Sequence, residues 1–302
     1  MRAVRFDRKK AGAAAVLGSF LLALAPAFAA EREIDPTFLN RDSNTAPEKP
    51  SDVSTATCHY HPLFGEGEKQ TPVLGSVARY GIVDIDPHGS CAPVQYADEE
   101  QLYVVLKGDG QADYGAEKVT LKAEDFVYLP VTVKHNLSNP TGAPLKVVVM
   151  GFHTKGFPSP ALPPHALKDN IENVPIEFVG GHPDSSHFRL LTGDAPQTRN
   201  RFNVGYVVTS LFLMEIDPAG TNFPHHHPDM EEIYLVVDGH GDQVAGEGVD
   251  GVANRRPAKP GDAYFYRMNA TVGYYSAPGV KSRILCVRSF DPGHLPGARK
   301  SN

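Results

Sequence analysis

Glu231-Glu-Ile-Tyr-Leu-Val-Val-Asp-Gly239 restates Glu100-Gln-Leu-Tyr-Val-Val-Leu-Lys-Gly108, and the two stretches lie 131 residues apart. At the same spacing Ile85-Asp86-Pro87 returns as Ile216-Asp217-Pro218. Asp125 followed by Phe-Val-Tyr-Leu-Pro130 corresponds to Asp262 followed by Ala-Tyr-Phe-Tyr-Arg267, and Cys58-His-Tyr corresponds to Ser186-His-Phe. A shared offset over that distance marks an internal repeat, so the chain encodes one unit twice. Each copy holds short Val, Ile and Tyr runs separated by turn residues, which read as strands. The expectation is an all-β protein of two small barrels in tandem rather than one large sandwich.

Upstream of the second repeat stand His225, His226 and His227. On an extended backbone successive side chains alternate, so His225 and His227 project to one side and His226 to the other. Pro228, Asp229 and Met230 fit a turn, and the apolar run through Val237 starts the next strand. One of the two glutamates, Glu231 or Glu232, then faces the histidine pair. Two imidazoles and a carboxylate form a donor set suited to a transition metal.

From Gly220 to Gly239 the order Gly, gap, His-x-His, four residues, Glu, six residues, Gly resembles the first motif of the cupin family. The leading gap is one residue shorter than the family's usual one. That resemblance makes Glu232 the carboxylate ligand, beside His225 and His227. With two copies, the chain resembles a bicupin, which implies tandem double-stranded β-helix (jelly-roll) barrels over roughly residues 58–153 and 186–291. The family's second motif falls in the first copy on Glu124, Pro130, Thr132, His135 and Asn139, where Pro, His and Asn match. In the second copy it falls on Gly261, Arg267, Asn269, Val272 and Ser276, where only the first Gly matches.

By the same resemblance, the fourth ligand position of the second copy holds Val272, which cannot coordinate. The four positions of the first copy are Val94, Tyr96, Gln101 and His135, so no tight metal is expected there. Tyr96, Gln101 and His135 remain candidates for a first-barrel pocket holding a polar small molecule. In the second barrel Arg267, Tyr266 and Tyr274 are candidates for substrate binding, Arg267 because a guanidinium can grip a carboxylate with two parallel hydrogen bonds. Two neutral imidazoles and one carboxylate around a divalent ion leave a net charge of +1, which attracts anions. The ion could be Fe, Mn, Zn, Ni or Cu; donor type alone does not choose. His59 and His61 form a second His-x-His, but no carboxylate follows at the right distance, and the repeated His59 is read as structural.

The chain opens with a basic segment, an apolar run from Ala11 to Phe28, and Ala27-Phe28-Ala29 for cleavage, the three parts of a secretory signal peptide. Without residues 1–29 the chain has 24 basic and 34 acidic residues, a formal charge of −10, which opposes nucleic acid and anionic membranes. No later segment is apolar enough to span a bilayer. The organisation expected is a signal peptide over 1–29, a polar surface arm over 30–57, a first cupin domain over 58–155, a proline-rich linker over 156–185, a second cupin domain over 186–293 and a tail over 294–302. In an oxidising compartment Cys58 and Cys91 are the natural disulfide pair, with Cys286 a buried thiol.

These readings converge on an exported protein, periplasmic or extracellular, with a divalent metal in its C-terminal barrel and a small-molecule partner. Three protein donors leave coordination positions open, which favours a metal-dependent oxidoreductase of the dioxygenase kind. Resemblance to bicupins implies small acidic or phenolic substrates such as oxalate or flavonols. A non-catalytic ligand-binding or storage-like bicupin and a cupin-type isomerase are the alternatives. A homo-oligomer is compatible with the fold class.

Overall fold

The apolar runs that end at Gly108 and Gly239 lie at the centre of the molecule, and both of their faces are covered. A computed structural model describes residues 38–68, 73–245 and 255–291. The expected signal peptide and the tail lie outside the described residues.

An edge strand β1 (Phe38–Asp42) precedes the first barrel, which runs through β2 (Cys58–Gly65), β3 (Val77–Ile85), β4 (Glu99–Lys107), β5 (Gly110–Tyr114), β6 (Glu117–Leu121), β7 (Asp125–Leu129), β8 (His135–Ser138) and β9 (Leu145–His153). The connector supplies β10 (Leu167–Asn170). The second barrel comprises β11 (Ser186–Asp194), β12 (Phe202–Gly205), β13 (Val208–Ile216), β14 (Met230–Asp238), β15 (Gly241–Ala245), β16 (Arg255–Ala258), β17 (Asp262–Tyr266), β18 (Val272–Ser276) and β19 (Ser282–Phe290).

In each barrel a large sheet faces a three-stranded one. The first pairs the order β10-β7-β4-β9-β3-β2 with β6-β5-β8; the second pairs β1-β17-β14-β19-β13-β11-β12 with β16-β15-β18. The two large sheets pack back to back. Along β4, Leu102 and Val104 enter the core between the barrels while Tyr103 and Val105 fill the first barrel. Along β14, Ile233 and Leu235 face the shared core, and Tyr234 and Val236 face the second interior. Burial on both faces is why these strands read as unbroken apolar runs instead of alternating ones. Gly108 and Gly239 close the equivalent turns at φ of 86° and 77°. A Cβ there would lie 2.5 Å from the Pro144 carbonyl oxygen or 2.4 Å from that of Lys281, so only glycine fits.

Two buried carboxylates cross the interface. Glu100, in β4, accepts from the backbone N–H groups of Tyr206, Val207 and Val208, each at 2.9 Å, and from the Tyr128 hydroxyl at 2.9 Å. Glu231, in β14, accepts from the N–H groups of Gly75 and Ser76, the second at 2.9 Å. Each residue thereby caps the loop that leads into the other barrel. Burial pushes the carboxyls of both upward, that of Glu231 to about 7.

The segments before the barrels are also exchanged. The arm expected on the surface instead adds β1 to the second barrel, pairing Phe38 with Tyr266 and Asp42 with Asp262. The proline-rich connector likewise adds β10 to the first barrel, pairing Leu167 with Tyr128 and Asn170 with Asp125. Cys58 and Cys91 form a disulfide with Cα atoms 5.0 Å apart, and Cys286 is a buried free thiol. His59 bonds Glu48 at 2.9 Å and Asp86 at 3.4 Å, while its repeat partner His187 bonds Asp217 at 3.0 Å. These are surface pairs that fasten β2 and β11 to the repeated Ile-Asp-Pro corners, in keeping with a structural role. No helix among the described residues is long and apolar enough to cross a membrane, which says nothing of spans made of strands.

Candidate metal centre

The geometry begins at an isolated bridge between His225 and Val272, where His225 N–H donates to the Val272 carbonyl at 2.9 Å and Val272 N–H returns the bond at 2.8 Å. The same bridge in the first barrel joins Val94 and His135. The histidine thus stands on opposite sides of one backbone pair in the two copies. His225 Nδ1 lies 2.8 Å from the Phe223 carbonyl. A carbonyl only accepts, so Nδ1 carries the proton and the lone pair is on Nε2. His226 is exposed on the other side, as alternation requires.

β14 supplies the carboxylate. Because Glu231 is committed to the barrel interface, alternation turns Glu232 inward, where it is buried and its Oε2 lies 3.3 Å from His227 Nε2. One donor atom each from His225, His227 and Glu232 falls within 4.8 Å of the others. Beyond this mutual approach, His227 Nε2 and Glu232 Oε2 are buried with no hydrogen-bond partner among the described residues. Such atoms are costly to bury unless something binds them. A divalent ion bonded at roughly 2.0–2.2 Å from each donor would satisfy them after small rotamer shifts. The donor set therefore fits a transition metal.

Electrostatics agree with that fit. Burial pushes the Glu232 carboxyl up, but His227, Arg288 and His225 outweigh it and hold the group below its ordinary value. Burial also depresses His225, to about 4, so its imidazole is neutral at pH 7 and able to coordinate. Arg288 Nε lies 3.7 Å from Glu232 Oε1, and its guanidinium covers the Phe212 ring at 5.1 Å.

The enclosed space is about 10 Å³, lined by the three donors together with Asn222, Tyr234, Arg288, His182 and apolar side chains that include Phe188 and Leu190. That volume suits an ion or a single water. Asn222 Nδ2 donates to the Tyr234 hydroxyl at 2.9 Å, which leaves the phenol proton free to point inward. Burial raises the Tyr234 pKa well above 10, so the proton stays on. A larger cavity of about 240 Å³ lies between the barrels, remote from the donors, and its charged pair Arg283 and Glu124 is joined at 2.6 Å.

Of the substrate-binding candidates, Arg267, Tyr266 and Tyr274 do not line the enclosed space. Tyr266 lies behind it, edge to face with the Tyr234 ring at 5.6 Å, and the Tyr274 backbone meets Asn222, its N–H donating to Oδ1 at 2.7 Å and its carbonyl accepting from the Asn222 N–H at 3.3 Å. The guanidinium at the site is Arg288. It was legible in principle, since Arg288 shares the inward parity of Ile284 and Cys286 along β19. His182 lies in the connector, where no periodicity marks it.

The first barrel is different. Tyr96, Gln101 and His135 come near one another, but an internal cation fills the space they would frame. Arg79 Nη1 lies 2.7 Å from Asp52 and 2.7 Å from Glu66, its Nε bonds Glu99 at 2.8 Å, and its guanidinium lies 4.6 Å from the Tyr96 ring centroid. Gln101 Nε2 donates to Glu99, and Tyr96 donates to Asp52 at 2.9 Å. His135 Nδ1 donates to the Val133 carbonyl at 2.9 Å and its Nε2 lies 3.2 Å from the Tyr103 hydroxyl. The small cavity of that barrel, about 10 Å³, is lined mainly by Val53, Val83, Val94 and Tyr103 and by none of the three candidates.

Comparison with known proteins matches the fold. A cupin-domain family model aligns with residues 81–151, the heart of the first barrel. Among solved structures, a putative glyoxylate-induced protein from Pseudomonas aeruginosa superposes with a TM-score of 0.65 at 14% identity, covering 87% of this chain and 92% of that one. The Lactobacillus farciminis oxalate decarboxylase in its formate complex gives 0.61 at 12% identity, covering 84% and 86%. A bacterial pirin from Escherichia coli in complex with nickel(II) gives 0.60 at 13% identity, covering 85% and 100%. No curated protein sequence matches the chain. Residues 81–151 thus match a cupin domain, and the fold as a whole is that of two tandem jelly-roll barrels of the cupin type on one polypeptide.

Proposed function

We propose that the second barrel binds one divalent transition ion through His225, His227 and Glu232 and acts as a metal-dependent oxidoreductase of the dioxygenase kind on a small anionic substrate. The observation that carries this reading is the convergence of three donors inside a closed barrel, two of them buried with no partner but each other among the described residues. Bound there, the ion would supply Lewis acidity and open positions for substrate and dioxygen. Around it, Arg288 attracts a carboxylate or phenolate and holds it beside Glu232. Phe188, Leu190 and Phe212 keep water out, and Tyr234, fixed by Asn222, presents a proton that is retained at neutral pH.

The enclosed volume of about 10 Å³ favours a second reading, a metal-binding bicupin without turnover, since substrate pockets of roughly 300 Å³ and more are usual. Export to an oxidising compartment belongs to the proposal as well; the Cys58–Cys91 disulfide supports it.

Metal content after loading, for the parent protein and His227→Ala, is the direct test. Near-stoichiometric metal in the parent and at least about a tenfold loss of affinity in the variant are expected, since removing a ligand exceeds the 10–100-fold typical of groups behind it. Less than about a tenth of an equivalent in the parent overturns the reading. Oxygen uptake across a panel of small carboxylic acids and phenols separates turnover from binding alone, and activity under strict anaerobiosis would identify an isomerase instead.

A further inference from the structure

The segment before each barrel performs the same two tasks. After β1 ends at Asp42 on the edge of the second barrel, the chain travels ten residues and Asp52, itself exposed, reaches Arg79 at the first barrel. After β10 ends at Asn170 on the edge of the first barrel, the chain travels twelve residues and His182 enters the second. In the first barrel this strap grips a cation. Asp52 holds Arg79 through Nη1 at 2.7 Å and Nη2 at 3.3 Å. The Arg79 guanidinium lies over Tyr96, the repeat counterpart of His227, and shares Glu99 with Gln101, the counterpart of Glu232.

His182 occupies the corresponding place in the second barrel. Its ring meets the His225 ring edge-on at 5.2 Å between centroids, and it closes the same small cavity as His227 and Glu232. Its Nδ1 is buried with no well-formed hydrogen bond among the described residues, although the Gly180 backbone interacts with the ring. His182 stands outside the trio whose donor atoms lie within 4.8 Å of one another, so its ring must turn toward them to join. Four side chains lining one cavity of about 10 Å³ present buried atoms without a formed hydrogen bond: His182, His227, Glu232 and, at Nε, Arg288. His227 Nε2 and Glu232 Oε2 approach each other to 3.3 Å, a contact in which His182 has no share. A cation held between the three would engage all of them, with Arg288 facing the other oxygen of Glu232.

We propose that His182 is the fourth protein ligand of the second-barrel ion, donated by the connector and completing a set of three imidazoles and one carboxylate. The inference rests on the metal-centre reading above. It commits the site to a borderline ion such as copper, nickel, zinc or iron, because three imidazoles disfavour magnesium and calcium. It also makes the connector part of the centre, so that occupancy of the site tethers residues 179–182 to the barrel mouth.

The test loads the full chain with Cu(II) and counts coordinated imidazoles by pulsed electron paramagnetic resonance, with chelator competition for affinity. Three imidazoles in the parent, two in His182→Ala and two in His227→Ala, with at least about a tenfold weaker affinity in each variant, are expected. Two imidazoles in the parent, with His182→Ala unchanged in spectrum and affinity, overturn the fourth ligand and leave the three-donor site standing. A parent that binds no copper, zinc, nickel or iron overturns both. The imidazole count is taken on the parent protein, so it decides the matter even if a variant fails to fold.

Discussion

Glu100 and Glu231 occupy the same position in the two repeats, and each carboxylate binds the other barrel's backbone: Glu100 the amides of Tyr206, Val207 and Val208, Glu231 those of Gly75 and Ser76. The interface is therefore locked by a polar exchange at the rim of the apolar core that joins Phe64 to Phe265 at 6.0 Å. Glu100→Ala strands three buried N–H groups, while the Tyr128 hydroxyl keeps the Val204 carbonyl as acceptor at 3.1 Å. Urea unfolding should show a loss of about 3 kcal/mol or more, at the rate of roughly 1–3 kcal/mol per unsatisfied buried group. A loss within about 0.5 kcal/mol would mean that water replaces the carboxylate without cost.

Removing the internal cation of the first barrel should be equally damaging. Arg79→Leu leaves Asp52, Glu66 and Glu99 facing one another, for an expected cost of about 3–5 kcal/mol. Burial pushes Asp52 up, but the guanidinium outweighs it and keeps the carboxyl below its ordinary value. In the variant that restraint is gone, and adding Glu99→Gln should recover part of the loss in a double-mutant cycle.

The Cys58–Cys91 bridge closes a loop across 33 residues. Chain-entropy arguments assign such a loop about 3–4 kcal/mol. The Cys58→Ser, Cys91→Ser double variant, or the parent held in strong reductant, should melt correspondingly lower by calorimetry. Identical melting of oxidised and reduced protein would refute that contribution.

Acid sensitivity should trace in part to His135. Burial, the largest influence, holds its pKa below the ordinary 6.5. The unfolded chain therefore takes up this proton first as pH falls, so the stability linked to His135 is complete above about 6.5 and declines below it. Melting curves in chelator between about pH 7 and 5 should be less steep in pH for His135→Gln than for the parent, with the residual slope due to other buried groups. An unchanged slope would place the sensitivity elsewhere.

Arg288 sets the balance between cation and anion at the proposed centre. Its charge 3.7 Å from Glu232 repels a metal and attracts an acid. Arg288→Met should tighten divalent-ion binding severalfold while weakening binding of a small carboxylate such as oxalate to the loaded protein, both measurable by calorimetric titration. Weaker metal binding in the variant would show that the arginine instead positions Glu232.

The repeat and the duplicated barrel were legible because β4 and β14 are buried on both sides and so carry long apolar runs ending in an obligate glycine. His225, His227 and Glu232 were legible as a donor set because their spacing is local. What the sequence hid depends on contacts between distant segments. Arg79 is neutralised by Asp52, Glu66 and Glu99, which lie 27, 13 and 20 positions away, so the polar pocket expected around Tyr96, Gln101 and His135 is filled. His182 sits in a proline-rich stretch with no strand or helix period, and only the fold carries it to the centre. The disulfide was readable from the count of cysteines, whereas the crossing of β1 and β10 was not, because edge strands of four or five residues leave little pattern.

The crossed edge strands make the molecule resemble two hands each holding the other's cuff. A protease that nicked the connector anywhere between β10 and β11 would release neither half, because β1, on the N-terminal fragment, remains clasped to β17 on the other. Expressed by itself, either lobe would lack its borrowed border and expose a bare sheet margin, so separate production of the halves should give sticky, self-associating material, whereas co-expression should let them find each other.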